Sequence, residues 1–249
     1  MITVAVSGAG GKLAGPIISG VEEAEDLELT ALYNPNRAGR EMAGLIVLGD
    51  PVGVSAEVVV ETAHPDVVFD NLEAWRDAGA AAVVGTSGFT PERLEQLKQM
   101  WGERTPCLVV PNFSIGATLM MRFAAEAAPF FDAVEIIERH HAEKPDAPSG
   151  TALASAMLVG RSGGSSAEQS KEMVPGARGA KVEGVRVHSL RLPGLISQQE
   201  VALSNTGEVL SIEHLSTSYE SFAGGALLAI RKVGSLSGGV HLGLDAVLE

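Results

Sequence analysis

The N-terminal part of the chain alternates between short apolar runs and longer segments whose apolar residues recur at helical spacing. The runs are nearly continuous, which is typical of parallel strands covered on both faces. Between them, residues 65–78 and 90–101 predict helices, the second with Thr90 as N-cap and Pro91 in its first turn. This order predicts a parallel sheet with right-handed crossovers. The predicted strands are residues 2–6, 27–33, 58–62, 80–84 and 108–110.

The pattern changes after Asn112, where the strictly alternating order of strands and helices ends. A polar loop with two prolines separates a predicted strand from a helix that begins near Ser149. Three strands follow, the last two joined by a hairpin turn, which favours a mixed or antiparallel sheet with helices. A final helix is expected to pack back on the first part. The predicted elements are helix 117–130, strands 133–138, 182–192, 199–205 and 209–214, the turn 205–208 and helix 224–233.

A glycine-rich turn follows the first predicted strand directly and precedes a predicted helix. It comprises Gly8, Ala9, Gly10, Gly11, Lys12 and Leu13. Glycines let the backbone approach a pyrophosphate, and the N–H groups of the helix N-terminus point at it. An alternative is that the cluster is only a turn. Ala14 lies where such turns often have glycine, and Pro16 implies that the helix begins late or is kinked.

The end of the second predicted strand bears on which nucleotide is bound. An acidic residue at this place would bind the ribose 2′-hydroxyl, but the chain has no acid there and instead has Arg37 and Arg40. Arg37 is therefore expected to meet a 2′-phosphate, which favours NADPH over NADH. In the alternative, both arginines are solvated loop residues.

These patterns predict an α/β protein with two domains. Residues 1–112 form a Rossmann-like, parallel-sheet dinucleotide-binding domain that residues 223–249 complete, and residues 113–222 form a second, α+β domain.

The composition narrows the functional classes. Hydrophobic residues make up 45% and charged residues 20% of the 249 residues, as in a globular protein. The formal net charge of −13 argues against nucleic acid as a partner. No apolar run approaches the roughly 18 residues of a membrane span, and the start does not resemble a signal peptide. The single cysteine, Cys107, excludes an internal disulfide, so a cytoplasmic location is expected.

The loop before Ser149 carries the groups for chemistry. Ser149 is a natural N-cap, and Gly150 and Thr151 occupy the first turn of the next helix. The exposed N–H groups there and the hydroxyl of Thr151 would form an anion site suited to a carboxylate, which makes Ser149, Gly150 and Thr151 candidates for substrate binding. His140 and His141 can donate a proton near neutral pH.

Lys144 adds a positive charge to the same loop. Two alternatives compete with a catalytic loop. Paired histidines can bind a metal, but with no third ligand nearby a metal site is not expected. A plain capped helix would need Ser149 but would not explain the histidines and the lysine.

The motif His-His-x-x-Lys-x-Asp-Ala-Pro-Ser-Gly-Thr-Ala, which begins at His140, resembles the signature of the dihydrodipicolinate reductase (4-hydroxy-tetrahydrodipicolinate reductase) family. The resemblance extends over most of the chain. It implies a two-domain enzyme whose second domain serves substrate binding and oligomerisation, usually as a homotetramer. Such an enzyme reduces a cyclic, unsaturated imine dicarboxylate with NADPH or NADH. The other similar segments are residues 8–13, 83–89, 111–116, 176–179 and 187–192.

The resemblance also implies roles for single residues. His140 would be the proton donor, while His141, Lys144, Gly150 and Thr151 would bind the substrate carboxylates. The cofactor site would be lined by Gly8, Lys12, Leu13, Gly85, Thr86, Gly88, Pro111, Asn112 and Phe113. These roles agree with the residue chemistry, because reduction of a conjugated imine leaves an enamine that needs a proton.

The chain departs from the family pattern at Glu61-Thr62-Ala63, Gln198 and Tyr219. Such departures leave a second function open, that of a paralogous NAD(P)-dependent oxidoreductase acting on another cyclic imine or amino acid. A third is a non-catalytic dinucleotide-binding protein, although a pure sensor would need neither His140 nor Lys144.

Overall fold

The computed structural model describes residues 1–168 and 170–248, and its contacts divide the chain into two compact units. Unit 1 consists of Met1–Ile115 and the chain from Tyr219 onward, and unit 2 is Gly116–Ser218. The second domain predicted from the sequence, residues 113–222, is a few residues longer at each end than unit 2. The sequence shows where the pattern of strands and helices changes, but it does not show at which residue the chain stops contacting one unit and begins to contact the other. Residue 249, the predicted end of the returning segment, lies outside the described residues.

Unit 1 is built on a six-stranded sheet in the order β13-β7-β6-β5-β1-β2, in which all neighbours are parallel. The Rossmann-like fold predicted for this part is therefore confirmed. The strands are β1 (Ile2–Ser7), β2 (Leu27–Tyr33), β5 (Val58–Glu61), β6 (Ala81–Val84), β7 (Pro106–Val109) and β13 (Gly239–Leu242), with β3 (Glu41–Met42) and β4 (Leu45–Ile46) forming a separate small hairpin.

Helices cover both faces of this sheet. One face packs against α1 (Ala14–Glu23) and α6 (Ala223–Val233), and the other against α2 (Val68–Asp77) and α3 (Pro91–Trp101). The near-continuous apolar strands predicted this double cover, since a strand buried on both faces has no polar side. The final helix thus returns to the first unit, as predicted. Pro16 lies in the first turn of α1, which begins late enough to accommodate it.

The two halves of this sheet diverge between β1 and β5. From β1 the chain passes outward to β2 on one side, and from β5 it continues to β6 and β7 on the other. In open parallel sheets this switch point leaves a crevice at the carboxyl ends of the strands, where ligands bind. The glycine turn after β1 lies at that edge.

Unit 2 has a five-stranded mixed sheet in the order β12-β11-β8-β10-β9. The pair β8 and β10 is parallel and the others are antiparallel. Helices α4 and α5 pack on one face, where every second residue of β8 is buried. The elements are α4 (Ile115–Ala127), β8 (Ala133–His140), α5 (Gly150–Arg161), β9 (Ala180–Val182), β10 (Val185–Arg191), β11 (Ser197–Asn205) and β12 (Glu208–Ser216).

Some predicted elements differ from those observed. The strand predicted at residues 182–192 is two strands, because Glu183 and Gly184 adopt φ values of 47° and 86° that turn the chain between them. The helix predicted from residue 117 begins at Ile115, and the one predicted from residue 65 begins at Val68. Strand β13 and the small hairpin were missed because such short strands are stabilised by their neighbours rather than by their own pattern.

In the part of the chain that the structure describes, no helix is both long enough and apolar enough to cross a bilayer.

Candidate active site

The glycine turn of unit 1 requires glycine for two reasons, a left-handed backbone conformation and the lack of room for a side chain. Gly8 and Gly10 have φ values of 82° and 84°, in the left-handed region that other residues rarely adopt. A Cβ on Gly8 would lie 2.7 Å from Oγ1 of Thr62, at the end of the neighbouring strand. The backbone of the glycine turn therefore lies against the side chain of Thr62, which follows β5 at the switch point. Ala9 is buried, and its N–H and C=O both bond within unit 1, to Tyr33 and Asn34.

The start of α1 has the character of an anion site. Its N-cap, Leu13, makes no side-chain hydrogen bond to the first turn, whereas Ser149 caps α5 and Thr90 caps α3. No side chain therefore caps the first turn of α1, although the N–H of Gly15 donates to the carbonyl of Gly11 and Pro16 has no N–H. Gly11 and Lys12 are exposed beside this turn. This start, with the positive-φ glycines before it, fits a nucleotide pyrophosphate.

Arg37 lies directly against the glycine turn. A Cβ placed on Gly10 would be 2.6 Å from Nε of Arg37, so the guanidinium covers this glycine. Asn34 fixes the chain that leads to Arg37, because its side chain accepts a hydrogen bond from the N–H of Asn36 and donates one to the carbonyl of Ala9. The predicted candidate for a 2′-phosphate contact is thus part of the turn.

A second group of predicted cofactor residues converges at the same sheet edge. A Cβ on Gly85 would lie 2.4 Å from the Phe113 ring and 3.1 Å from Leu13. Phe113 is 2% exposed, so its ring supports the site from the core. Thr86 donates a hydrogen bond of 2.9 Å to the carbonyl of Ala63.

The remaining predicted cofactor residues lie in the connections at this edge. Gly88 has a φ of 84°, Asn112 accepts a hydrogen bond from the N–H of Ser114, and Pro111 is exposed.

Glu61 is a buried carboxyl at the end of β5, 0% exposed. Its side chain accepts hydrogen bonds from the indole N–H of Trp75 at 2.9 Å and from the N–H of Ala63 at 2.7 Å. Burial raises the pKa of Glu61, and these neutral donors only partly offset that effect.

In unit 2, His140 is the last residue of β8 and is 9% exposed. Its Nδ1 lies 2.5 Å from Oε2 of Glu138, and its Nε2 lies 3.0 Å from Oγ of Ser197 on β11. Glu138 and His140 are two residues apart on one strand, so their side chains share a face. The proton donor predicted from the sequence is thus held at both ring nitrogens.

Glu138 also forms a two-pronged ion pair. Arg191, at the end of β10, donates from its two terminal nitrogens to Oε2 at 2.9 Å and to Oε1 at 2.8 Å. Burial by itself would raise the pKa of Glu138, but hydrogen bonds from His140, Arg191 and Ser189 outweigh it and lower the pKa to about 2. The carboxylate is therefore ionised across the physiological range.

The loop between β8 and α5 is tied to this pair. Arg191 also donates to the backbone carbonyl of Asp146 at 2.6 Å, and Lys144 pairs with the carboxylate of Asp146 at 2.7 Å. Ser149 uses both its polar groups internally, since its N–H donates to Glu138 at 3.2 Å and its hydroxyl accepts from the N–H of Ala152. An anionic ligand of Lys144 would compete with Asp146.

Gly150 and Thr151 open α5 at the end of this loop, where Gly150 is exposed and Thr151 is partly exposed. His141 is partly exposed beside His140. Together with Lys144 they give the loop N–H, hydroxyl and cationic donors that suit carboxylates.

The sequence reasoning missed Glu138, Arg191 and Ser197. A signal existed for Glu138, because Val134 and Ile136 place it on the buried face of a strand of period two, where a charge needs a partner. Arg191 and Ser197 could not be found, since the pairing of β10 and β11 with β8 brings them to His140. Within residues 1–168 and 170–248, no group of three His, Cys, Asp or Glu side chains is placed to hold a metal ion.

The parallel sheet of unit 1, with its glycine turn at the switch point, defines a pyridine-nucleotide-dependent oxidoreductase fold. Unit 2 adds a loop with a buried histidine and carboxylate-binding donors. The family models for the N-terminus and the C-terminus of dihydrodipicolinate reductase match residues 2–113 and 116–248. The chain belongs to this family, and the resemblance of its loop motif is confirmed.

Relatives and a solved structure agree along the whole chain. The 4-hydroxy-tetrahydrodipicolinate reductase of Mycobacterium marinum is 44% identical, over 99% of this chain and 98% of that protein. The enzyme of the same name from Thermobifida fusca is also 44% identical, with coverage of 100% and 99%. A dipicolinate-bound dihydrodipicolinate reductase from Paenisporosarcina sp. TG-14 superimposes with a TM-score of 0.86 at 33% identity, covering all of both chains.

Proposed function

We propose that the protein reduces 4-hydroxy-tetrahydrodipicolinate to tetrahydrodipicolinate with a pyridine nucleotide, in the biosynthesis of diaminopimelate and lysine. The observation that supports this most directly is the loop of unit 2. Glu138 ties the buried His140 to the start of α5, and Arg191 ties Glu138 to Asp146, the partner of Lys144. The reaction needs a proton donor and a site for two carboxylates, and this loop contains both kinds of group.

The nucleotide would be held by unit 1. The glycine turn and the first turn of α1 would receive its pyrophosphate, while the residues around Gly85 and Phe113 would line the nicotinamide side. When bound, the cofactor supplies the hydride.

The substrate carboxylates would be bound by Lys144, His141 and the start of α5. Lys144 would exchange Asp146 for a substrate carboxylate, so that binding replaces one ion pair by another. The N–H group of Gly150 and the N–H and hydroxyl groups of Thr151 would bind carboxylate oxygens at the positive end of the helix.

His140 would protonate the enamine left after reduction of the double bond. A positioned acid of this kind accelerates a reaction by about 10²–10⁴-fold.

The direct test couples a dihydrodipicolinate synthase to the purified protein and follows the absorbance of NADPH. We expect oxidation that depends on the synthase product. Cofactor binding without oxidation above background would refute the proposed function.

Two substitutions test the roles within the loop. His140→Ala should lower kcat by about 10²–10⁴-fold with a small change in KM. Lys144→Ala should raise KM and also lower kcat, because the lysine both binds and orients the ring. A wild-type rate in either variant would remove that residue from the mechanism.

NADPH is proposed as the preferred cofactor because Arg37 lies against the glycine turn. Arg37→Ala should reduce the ratio of kcat/KM for NADPH to that for NADH, with the NADH value nearly unchanged. Arg40→Ala is the matched control, since Arg40 is exposed three residues further on. An unchanged ratio in the Arg37 variant would leave the preference without this support.

A cytoplasmic location and a homotetramer are also proposed, as is usual for the family. Light scattering of the purified protein at micromolar concentration should give the mass of four chains. A monomer there would contradict the proposed assembly.

A further inference from the structure

The carboxylate of Glu138 joins three separate parts of unit 2. Its oxygens accept hydrogen bonds from Nδ1 of His140 at the end of β8, from both terminal nitrogens of Arg191 on β10, and from the N–H of Ser149 at the start of α5. The side chain is completely buried. A buried carboxylate that accepts from these donors, and also from the side chain of Ser189, is held in one position, and it holds its partners in turn.

Strand pairing brings these groups together. Glu138 and His140 face the same side of β8. The register of β10 with β8 sets Arg191 beside His140, and the register of β11 sets Ser197 beside His140 from the other side. Strands β8 and β11 therefore supply the histidine and its two ring partners, and β10 supplies the arginine that anchors Glu138.

The hydrogen-bond chemistry of this cluster determines which ring nitrogen carries the transferable proton. An ionised carboxylate can only accept, so the nitrogen that faces it must carry a hydrogen. We propose that Glu138, anchored by Arg191, is a positioning residue that keeps a hydrogen on Nδ1 of His140, so that Nε2 delivers the proton during reduction. This inference rests on the proposed function and extends it to residues that do not contact substrate.

The proton balance is simple. The Nε2–H bond of the imidazolium breaks, its electron pair stays on Nε2, and a C–H bond forms on the enamine carbon. The histidine is left neutral with its hydrogen on Nδ1, still bonded to Glu138. Solvent then returns a proton to Nε2, where Ser197 Oγ at 3.0 Å is the hydrogen-bond partner.

Arg191 has a distinct part in this arrangement. A buried carboxylate without a counter-ion would bind the imidazolium so strongly that release of its proton would be costly. The two hydrogen bonds from Arg191 partly neutralise the negative charge of Glu138. Glu138 therefore orients the His140 ring without binding its imidazolium form too tightly for proton release. The other charged or titratable groups of the adjoining loop are His141, Glu143, Lys144 and Asp146, the last two paired with each other.

The first experiment measures the tautomer and needs no activity. Long-range ¹H–¹⁵N NMR spectra of ¹⁵N-histidine-labelled protein, recorded at a pH where His140 is neutral, should show the hydrogen on Nδ1. The same spectra of Glu138→Gln should show loss of this tautomer or a mixture of both. A hydrogen on Nε2 in the wild type, or identical tautomers in both proteins, would overturn the proposal even if the reductase assay succeeds.

The second experiment is kinetic. In Glu138→Gln we expect kcat to fall about 10–100-fold with KM nearly unchanged, since the proton transfer is impaired and not the binding. The solvent isotope effect on kcat should rise, and the effect of deuterium at C4 of the nicotinamide should fall towards one, because protonation becomes rate-limiting. Unchanged kcat and isotope effects would contradict the role.

A double-mutant cycle shows whether Glu138 acts through His140. With His140→Ala already in place, Glu138→Gln should change kcat by less than about threefold, because the positioned group is gone. Fully additive losses would mean a separate role for Glu138 and would overturn the proposal. If Glu138→Gln does not fold, Glu138→Asp keeps the charge for Arg191 but withdraws it from Nδ1, and should give the same kinetic pattern.

A matched control lies on the same strand. Glu135 also accepts from a histidine and an arginine, since it pairs with His188 at 2.7 Å and with Arg178, but it faces the opposite side of β8. Glu135→Gln therefore breaks a similar cluster without touching His140, and should leave kcat and both isotope effects at wild-type values when its oligomeric state is unchanged. An equal loss in both variants would indicate a merely structural role for Glu138.

Discussion

Two fully buried glutamates, one in each unit, have opposite protonation preferences. Glu61 ends β5 in unit 1, and Glu138 lies near the end of β8 in unit 2. Burial raises the pKa of Glu61, whose donors are neutral N–H groups, whereas hydrogen bonds from His140, Arg191 and Ser189 lower the pKa of Glu138 to about 2 despite burial. Burial alone therefore does not determine the direction in which the pKa of a carboxyl shifts, because the hydrogen-bond donors around the carboxyl can outweigh it.

The opposite pKa shifts of the two glutamates agree with the kind of candidate site that each unit contains. Unit 1 shapes its candidate cofactor site with backbone, glycines and neutral donors, and the raised pKa of Glu61 disfavours a negative charge beside the turn. Unit 2 shapes its candidate proton-transfer site with an anion between an arginine and a histidine, so the charge itself orients the imidazole of His140.

The largest expected effect comes from removing the two carboxylates in turn. Glu138→Gln removes the buried carboxylate that pairs with the partly buried Arg191 and should lower the free energy of unfolding by about 3–5 kcal/mol. Glu61→Gln loses one hydrogen bond from an uncharged donor and should cost about 1 kcal/mol. Urea unfolding can separate the units, because Trp75 and Trp101 report unit 1 by fluorescence and far-UV circular dichroism reports both. Equal losses of unfolding free energy in the two variants would contradict the difference between the two glutamates.

The pH dependence should have opposite signs at the two residues. The lowered pKa of Glu138 stabilises the fold above its ordinary value of 4.5, and this stability, on the order of 3 kcal/mol at most, is lost as the pH falls from 4.5 to about 2. The raised pKa of Glu61 means that stability is lost as the pH rises above 4.5.

The check is urea unfolding of the wild type and Glu61→Gln from pH 4 to 8. The variant should gain stability relative to the wild type as the pH rises. The double variant Glu138→Gln, Arg191→Met should lose less stability than the wild type between pH 4.5 and 2. Parallel curves for all proteins would contradict the opposite shifts.

A smaller effect is expected from two glycines. Gly10→Ala should cost about 1–2 kcal/mol for its left-handed backbone, and also displaces Arg37, which a Cβ would approach within 2.6 Å. Gly150 opens α5 with no atom within 4 Å of a Cβ, so Gly150→Ala should stabilise unit 2 by up to about 1 kcal/mol. Thermal unfolding of both variants tests this, and a loss at Gly150 as large as at Gly10 would count against it.

The smallest effect concerns the helix starts. Ser149→Ala removes the N-cap of α5 and should cost about 1 kcal/mol, close to the cost of Thr90→Ala at α3 in unit 1. Circular dichroism melting curves of the two variants provide the measurement. A cost at Ser149 well above that at Thr90 would show that the N–H bond to Glu138, and not the cap alone, had been disturbed.

Much of the fold could be predicted from local patterns. The parallel sheet of unit 1, the Thr90 and Ser149 caps and the hairpin at Gly207 each follow from a few consecutive residues. The division of residues 182–192 into two strands could not, because the turn depends on Glu183 adopting a positive φ that its side chain does not favour. Strand β13 also could not be predicted from its local sequence, since its partner β7 lies about 130 residues earlier in the chain.

The candidate site divides in the same way. The sequence by itself determined the glycine turn, the capped start of α5 and the histidine and lysine of the loop, because these depend on residue type and on neighbours within a few positions. Only the tertiary structure decided that Arg37 covers Gly10, and that Arg191 and Ser197 meet the Glu138–His140 pair. Those contacts arise from strand order and register, and many distant pairings are compatible with the same local pattern until the packed sheet selects one.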